Sequence, residues 1–210
     1  MHTETVRFAK LGYQIILIGH QGHDEVVGTV GEAPDRITLV QHEADVDRLS
    51  FQSSDRLAYL TQTTLSVDET SRIVDRLRTR YPQIEGPPKD DICYATQNRQ
   101  QAVRDLARQV DLLLVVGSQN SSNSRRLCEV AAEYGTDSHL IDDQRGLNPD
   151  WFRADQVVGI TAGASAPEIS VQSVAQWLQS KFDASVENFG QREPAREFPL
   201  PAELANVESN

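Results

Sequence analysis

This 210-residue sequence contains two cysteines, Cys93 and Cys128, and no excess of positive charge. Two thiols without any other disulfide-type signal fit a reducing compartment rather than a disulfide-stabilised secreted fold. The formal net charge of −11 argues against DNA, RNA or an anionic membrane as a broad partner. A small anionic ligand is not excluded, because a few backbone N–H groups can bind phosphate within an acidic protein.

Long apolar segments are also lacking. The longest apolar runs, at 15–18 and 112–116, are far too short to span a bilayer. The first residues, MHTETVRFAK, lack the apolar core of a signal peptide, so we expect a cytoplasmic protein. With 39% hydrophobic and 24% charged residues, the composition is that of an ordinary soluble globular chain.

One pattern recurs four times: an apolar run of strand length, a loop of small polar residues, and an amphipathic helical stretch. The four segments are YQIILIGHQGHDEVVGTV, LAYLTQTTLSVDETSRIVDRL, DLLLVVGSQNSSNSRRLCEVAAEYG and QVVGITAGASAPEISVQSVAQWL. Strands that are apolar on both faces and alternate with helices predict an α/β fold with small parallel sheets flanked by helices. In such folds ligands bind beyond the carboxyl ends of the strands, where all four polar loops are expected to meet.

The segment YPQIEGPPKDD (81–91) carries three prolines and a glycine, and it predicts a boundary between two similar lobes. We expect a first lobe at 1–88 and a second lobe at 89–182. The remainder, 183–210, contains three prolines and no sustained period, so an extended tail is predicted.

Helix signals follow each loop. Ser66 with Glu69, and Ser165 with Glu168, read as capping boxes. In the third unit a buried stripe is predicted, with Gly135 just beyond the helix end. Its members lie at helical spacing: Leu127, Val130, Ala131 and Tyr134.

The loop VVGSQNSSNS (115–124) favours an anion site, because backbone N–H groups, hydroxyls and amides can approach phosphate at the start of a helix. Ser121–Asn123 are the candidates, and Ser165 belongs to a second loop of this kind. A cap-rich turn with no ligand is the alternative. Arg125 and Arg126 would oppose the helix dipole there, so we expect both to face solvent.

His23 and Glu25, two residues apart in GHQGHDE, could supply a ligand-binding donor and a proton donor. The alternative is a polar loop whose Glu only serves the helix dipole. His20 and His23 offer two metal ligands without a third. Cys93 fits a nucleophile or metal ligand, or a buried inert thiol, and Cys128 fits packing. From residues alone, the sequence predicts a two-lobed α/β protein that binds a small anion.

Five stretches together resemble one known family. They are IGHQGHDEVVGTVGE, TQTTLSVDETSRIVDRLR, GPPKDDICYATQNRQQAV, VVGSQNSSNSRRLCEVA and VGITAGASAPE, in unbroken order. They are similar to 4-hydroxy-3-methylbut-2-enyl diphosphate reductase, the LytB/IspH family and last enzyme of the methylerythritol phosphate route to isoprenoids. The resemblance implies three similar α/β lobes around a cavity, each giving one cysteine to a [4Fe-4S] cluster.

The resemblance also implies roles. Cys93 would be a cluster ligand, Glu25 the proton donor, and Thr63 a neighbour of the substrate hydroxyl and part of the proton path. Diphosphate binding would fall to a further set: His23, Ser121, Ser122, Asn123 and Ser165. The implied reaction is reductive dehydroxylation to isopentenyl and dimethylallyl diphosphate, with electrons from a ferredoxin- or flavodoxin-type donor.

The sequence departs from the family pattern at its start. MHTETVRF resembles a segment lying just after the family's second cysteine motif, so a first lobe and two of three cluster cysteines are not present. One thiolate cannot hold a four-iron cluster, and we expect no reductase activity from this chain alone. Two hypotheses follow: a C-terminal portion of a longer reductase, or a non-catalytic diphosphate-binding module.

Overall fold

The computed structural model describes residues 1–87 and 91–190, and it contains two three-stranded parallel sheets. The first sheet has the order β2-β1-β3. Its strands are β1 (Gln14–Ile18), β2 (Ile37–Val40) and β3 (Leu57–Thr61). Its helices are α1 (His2–Lys10), α2 (Asp24–Glu32), α3 (Glu43–Val46) and α4 (Val67–Arg80).

The second sheet has the order β5-β4-β6. Its strands are β4 (Leu112–Val116), β5 (Asp137–Ile141) and β6 (Val158–Ala162). Its helices are α5 (Tyr94–Ala107), α6 (Ser122–Glu133) and α7 (Glu168–Phe182). The predicted α/β class with small parallel sheets flanked by helices is confirmed.

The central strand of each sheet is buried on both faces because helices cover both faces. In β1, Leu17 packs with Phe8 and Val26 of α1 and α2, whereas Ile16 packs with Ile73 of α4. The strand β4 divides in the same way: its alternate residues face α5 and α6 on one side and α7 on the other. Continuous apolar runs in the sequence are therefore a direct result of two-sided coverage.

The edge strands β2 and β5 did not stand out in the sequence. In β2 only Val40 is buried, and β5 begins with the exposed Asp137. Both strands are covered less completely than β3, an edge strand whose five residues are all buried, so their composition is not forced to be apolar. Among the described residues no helix is long and apolar enough to cross a membrane.

Local helix signals were right in part. Ser66 caps α4 by accepting a hydrogen bond from the N–H of Glu69 at 3.3 Å. The second capping box is wrong: α7 begins at Glu168 after Pro167, without a side-chain cap. Tyr134 is exposed rather than buried, because α6 ends one residue before it. Gly135, as expected, takes a positive φ of 76° just past the helix end.

Helix α7 ends where Asp183 adopts a left-handed conformation, with φ of 53°. Residues 183–190 form neither helix nor strand, and the rest of the predicted tail lies outside the described residues. The predicted lobe boundary falls at 88–90, which also lie outside them, so the division at 88 stays a prediction.

A buried amide joins the two halves of the chain. Gln100 of α5 is fully buried, donates to the carbonyl of Leu65 at 2.8 Å and accepts from the N–H of Val67 at 3.0 Å. Both partners lie at the start of α4, beside the first sheet. One side chain thus satisfies two backbone groups across the contact between the halves.

We expect Gln100→Ala to lower the free energy of unfolding by about 1–3 kcal/mol, since two buried backbone groups lose their partner. Gln101→Ala is the matched control, because Gln101 is exposed and bonds only within its own helix. The measurement is urea unfolding followed by circular dichroism. Equal destabilisation by the two variants would contradict the prediction.

Candidate functional site

Glu25 and Thr63 meet because the strands that precede them are neighbours. Glu25 lies in the first turn of α2, after β1, and Thr63 lies in the loop after β3. The Thr63 hydroxyl donates to Glu25 Oε2 at 3.1 Å, and the Thr63 N–H donates to Oε1 at 3.3 Å and to Oε2 at 3.2 Å. The carboxylate is therefore held in one orientation at the carboxyl edge of the first sheet.

Cys93 is brought to the same edge by backbone contacts. The N–H of Thr61 donates to Asp91 Oδ2 at 2.9 Å, and the N–H of Cys93 donates to the carbonyl of Thr63 at 3.2 Å. Burial raises the pKa of Asp91. The exposed Cys93 caps α5, with its sulfur 3.4 Å from the N–H of Thr96. Hydrogen bonds thus connect the backbone of Cys93 to Thr63, and Thr63 to the Glu25 carboxylate.

His23 links this loop to the second sheet. Its Nδ1 accepts a hydrogen bond from the N–H of Glu25 at 3.2 Å, which assigns the ring proton of the neutral imidazole to Nε2. Nε2 lies 2.8 Å from Ser122 Oγ, at the start of α6. His23 is therefore a donor aimed at the first turn of α6.

The first turn of α6 carries unused hydrogen-bonding capacity. Ser121 Oγ caps the helix by accepting from the N–H of Ser124 at 3.2 Å. Asn123 is only 8% exposed, yet neither its amide oxygen nor its amide nitrogen has a partner among the described residues. A buried amide left unpaired costs free energy unless a ligand pairs with it. This turn therefore has the donors that an anion requires.

Ser165 stands apart from the other candidates. It is exposed, and its side chain makes no hydrogen bond within residues 1–87 and 91–190. Its loop starts at Gly163, where a Cβ would lie 3.8 Å from Asn123 Nδ2. The loop after β6 therefore lies close to Asn123, but the Ser165 side chain forms no hydrogen bond with the other candidate residues.

One arginine of α6 does not lie where its position in the sequence predicts. Arg126 was expected in solvent, but its side chain is only 11% exposed and its Nη2 lies 3.1 Å from His20 Nε2. Arg125 is exposed, as expected. A cavity of about 680 Å³ lies beside these residues between the halves of the chain, and its lining includes His20, His23, Glu69, Ser122 and Arg125. No local signal in the sequence could have indicated the partners of Arg126, which lie far away along the chain.

The described residues do not include a complete set of ligands for a metal cluster. No group of three His, Cys, Asp or Glu able to hold a metal ion occurs in the described part of the chain. Cys128 lies in α6, and its half-buried side chain packs against the apolar core between the second sheet, α5 and α6. Burial raises the pKa of its thiol. One exposed thiol does not fit a four-iron cluster, which needs three or four cysteine ligands.

Two glycines allow α6 to approach the sheet. A Cβ on Gly117 would lie 2.3 Å from Ser124 Oγ and 2.9 Å from Ser124 Cβ. A Cβ on Gly163 would lie 2.2 Å from the same Oγ but 3.4 Å from Cβ. Ser124 thus fills the space between the ends of β4 and β6 and fixes the position of Asn123.

We expect Gly117→Ala to destabilise the fold by about 1–3 kcal/mol, and Gly163→Ala by less, because only the first meets an atom that cannot rotate away. Adding Ser124→Ala should abolish the cost of Gly163→Ala but leave most of the cost of Gly117→Ala. Thermal unfolding of the four variants measures this. Equal rescue of both glycine variants would show the described packing to be wrong.

Known proteins resemble this chain over most of its length. A profile of the family described as LytB protein matches residues 1–179. The 4-hydroxy-3-methylbut-2-enyl diphosphate reductase of Rhodopirellula baltica is 59% identical over 204 residues, which make up 97% of this chain and 64% of that protein. The reductase of the same name from Chromohalobacter salexigens is 53% identical over 209 residues, or 97% of this chain and 66% of that protein.

Similarity extends to a solved structure. The E-1-hydroxy-2-methyl-but-2-enyl-4-diphosphate reductase of Plasmodium falciparum superposes with a TM-score of 0.91 at 35% identity, covering 99% of this chain and 66% of that one. The chain thus spans 64% to 66% of the length of these relatives. On the profile match, the sequence identity and the shared fold, this chain belongs to the LytB family of 4-hydroxy-3-methylbut-2-enyl diphosphate reductases.

Proposed function

We propose that this chain supplies the diphosphate-binding and proton-donating part of a 4-hydroxy-3-methylbut-2-enyl diphosphate reductase of isoprenoid biosynthesis. The observation that supports it best is the buried, unpartnered amide of Asn123, one turn from the His23–Ser122 contact. A diphosphate would give these groups the acceptors that they lack. The family and the names of its relatives supply the substrate class.

In this proposal the diphosphate binds at the first turn of α6. His23 Nε2–H and the Ser122 hydroxyl exchange their mutual hydrogen bond for phosphate oxygens, and Asn123 Nδ2 donates a further bond. The first N–H groups of the helix have no intrahelical partner and add a favourable dipole. Ser121 keeps its capping bond and holds the turn in shape, and Ser165 approaches the ligand from the loop after β6.

Glu25 and Thr63 would deliver the proton. When Glu25 is protonated, its Oε2–H donates to Thr63 Oγ1, and Thr63 passes its own proton to the substrate hydroxyl. The carbon–oxygen bond then breaks, and the hydroxyl leaves as water. Net reduction takes two electrons and two protons per substrate, with a ferredoxin- or flavodoxin-type protein as the proposed electron donor.

Cys93 is the proposed iron–sulfur ligand of this chain, a role supported by its exposed thiol and by the hydrogen bond from its backbone N–H to the carbonyl of Thr63. The described residues do not complete a cluster site. We infer that the 210-residue chain by itself does not catalyse the reduction. A non-catalytic diphosphate-binding module is the second candidate, and the unpaired Asn123 amide is compatible with it.

Titration calorimetry with inorganic pyrophosphate, in the absence of iron, tests the binding site. We expect Asn123→Ala to weaken binding about ten-fold or more, because a hydrogen bond to a charged group contributes about 1.5–3 kcal/mol. Asn148→Ala is the control, since Asn148 only caps the short turn Pro149–Trp151. Unchanged affinity in Asn123→Ala would overturn the proposed site.

Anaerobic reconstitution with iron and sulfide tests the cluster inference. We expect the chain alone to give no stoichiometric four-iron absorption spectrum and no turnover, because it offers one suitably placed thiol. Cys128→Ser should behave like the parent chain, and Cys93→Ser should lose any residual iron binding. A stoichiometric cluster with turnover in the chain alone would refute the inference.

A further inference from the structure

A second contact runs beside the His23–Ser122 hydrogen bond. Arg126 Nη2 lies 3.1 Å from His20 Nε2, and Arg126 Nη1 lies 2.7 Å from Glu129 and 3.7 Å from Glu69. We refer to the pair His20–Arg126 as the clasp. His20 and Glu69 belong to the half of the chain with the first sheet, whereas Arg126 and Glu129 lie on α6.

The clasp and the His23–Ser122 bond join the same two elements. His20 and His23 stand at the two ends of one turn, closed by a 3.2 Å hydrogen bond from the N–H of His23 to the carbonyl of His20. Ser122 and Arg126 lie four residues apart on α6, so they share one face of the helix. The His20–Arg126 and His23–Ser122 contacts are thus adjacent connections between the β1–α2 loop and α6.

The two histidines play opposite parts. Arginine has only donors, so His20 Nε2 must accept from Arg126, and the imidazole of His20 is neutral. His23 Nε2, by contrast, carries a proton and donates. His23 thus offers an anion a free N–H donor once its bond to Ser122 is broken, whereas the guanidinium of Arg126 is already engaged by His20 and by two carboxylates.

The N–H of His20 fixes the loop from the other side. It donates to Gln62 Oε1 at 3.0 Å, and Gln62 is fully buried at the end of β3. A clasp on His20 therefore positions a loop that is already fixed to the first sheet. It sets the distance between that sheet and α6 rather than the shape of the loop.

We propose that the clasp is a positioning device, which keeps His23 and the first turn of α6 at a fixed spacing when a diphosphate replaces the His23–Ser122 bond. The inference rests on the proposed function. A ligand that pairs with both His23 and Ser122 removes the hydrogen bond between them. The His20–Arg126 contact does not depend on that hydrogen bond, so it can persist when the ligand breaks it.

The clasp also responds to acid. Burial, followed by the charge of Arg126, lowers the pKa of His20 from its ordinary value of 6.5. The groups that face His20 are Arg126, whose charge lowers its pKa, the imidazole of His23, which lowers it when charged, and the carboxylates Glu69 and Glu129, which raise it. The closed clasp therefore binds a proton less readily than free imidazole. Its contribution is complete above pH 6.5 and is lost as the pH falls towards the lowered pKa.

The test compares pyrophosphate affinity in three variants by titration calorimetry. Arg126→Gln removes the clasp and should weaken binding about ten-fold. Arg76→Gln is the matched control: it removes a bidentate ion pair with Asp47 that lies beside the first sheet alone, and it should bind like the parent chain. Thermal unfolding of both variants separates lost positioning from lost folding.

His20→Gln is the conservative variant, since its amide oxygen can accept from Arg126 and cannot be protonated near neutral pH. The parent chain should bind like His20→Gln above pH 6.5 and should lose affinity relative to it as the pH falls below that value, towards the lowered pKa of His20. Comparison of the two proteins at each pH cancels the titration of pyrophosphate itself. A purely structural role for His20 would not produce this difference.

The outcomes are distinct. Equal affinity of Arg126→Gln and Arg76→Gln, with Asn123→Ala still weakened, overturns the clasp and leaves the proposed function standing. Parallel pH profiles of the parent chain and His20→Gln also overturn the clasp. A parent chain that binds no pyrophosphate overturns the proposed function, and the positioning role fails with it.

Discussion

The hydrogen bond between His23 and Ser122 joins residues 99 positions apart and connects two separately formed sheets. Each sheet by itself presents only part of a site: a carboxylate and hydroxyl on one side, a helix start with an unpaired amide on the other. Their combination depends on α6 lying against the β1–α2 loop. The chemistry assigned to this protein therefore depends on a contact between halves rather than on either half.

Parallel strand pairing explains why the parts converge at all. In both sheets the central strand has a parallel neighbour on each side, so the loops that follow the strands emerge at one edge. Small residues at that edge then decide how close the next helix can come. Gly117 and Gly163 leave room for Ser124, and the first turn of α6 follows from this packing.

Much of this was accessible from sequence because it depends on local patterns. Apolar runs with two buried faces predicted β1 and β4, and the polar loops predicted where His23, Glu25 and Asn123 would lie. Arg126 was not accessible: its position in the first turns of α6 favours solvent, and this preference was overridden by partners from the other half. The cap assigned to Ser165 failed for a different, local reason, since α7 begins only after Pro167.

The crossing between the halves has a mechanical consequence. Just before α5, the chain is bonded to the end of β3 through Asp91 and through the backbone of Cys93. Any displacement of the start of α5 from the first sheet would have to break these two hydrogen bonds. They therefore limit how far the backbone of Cys93 can move away from Thr63.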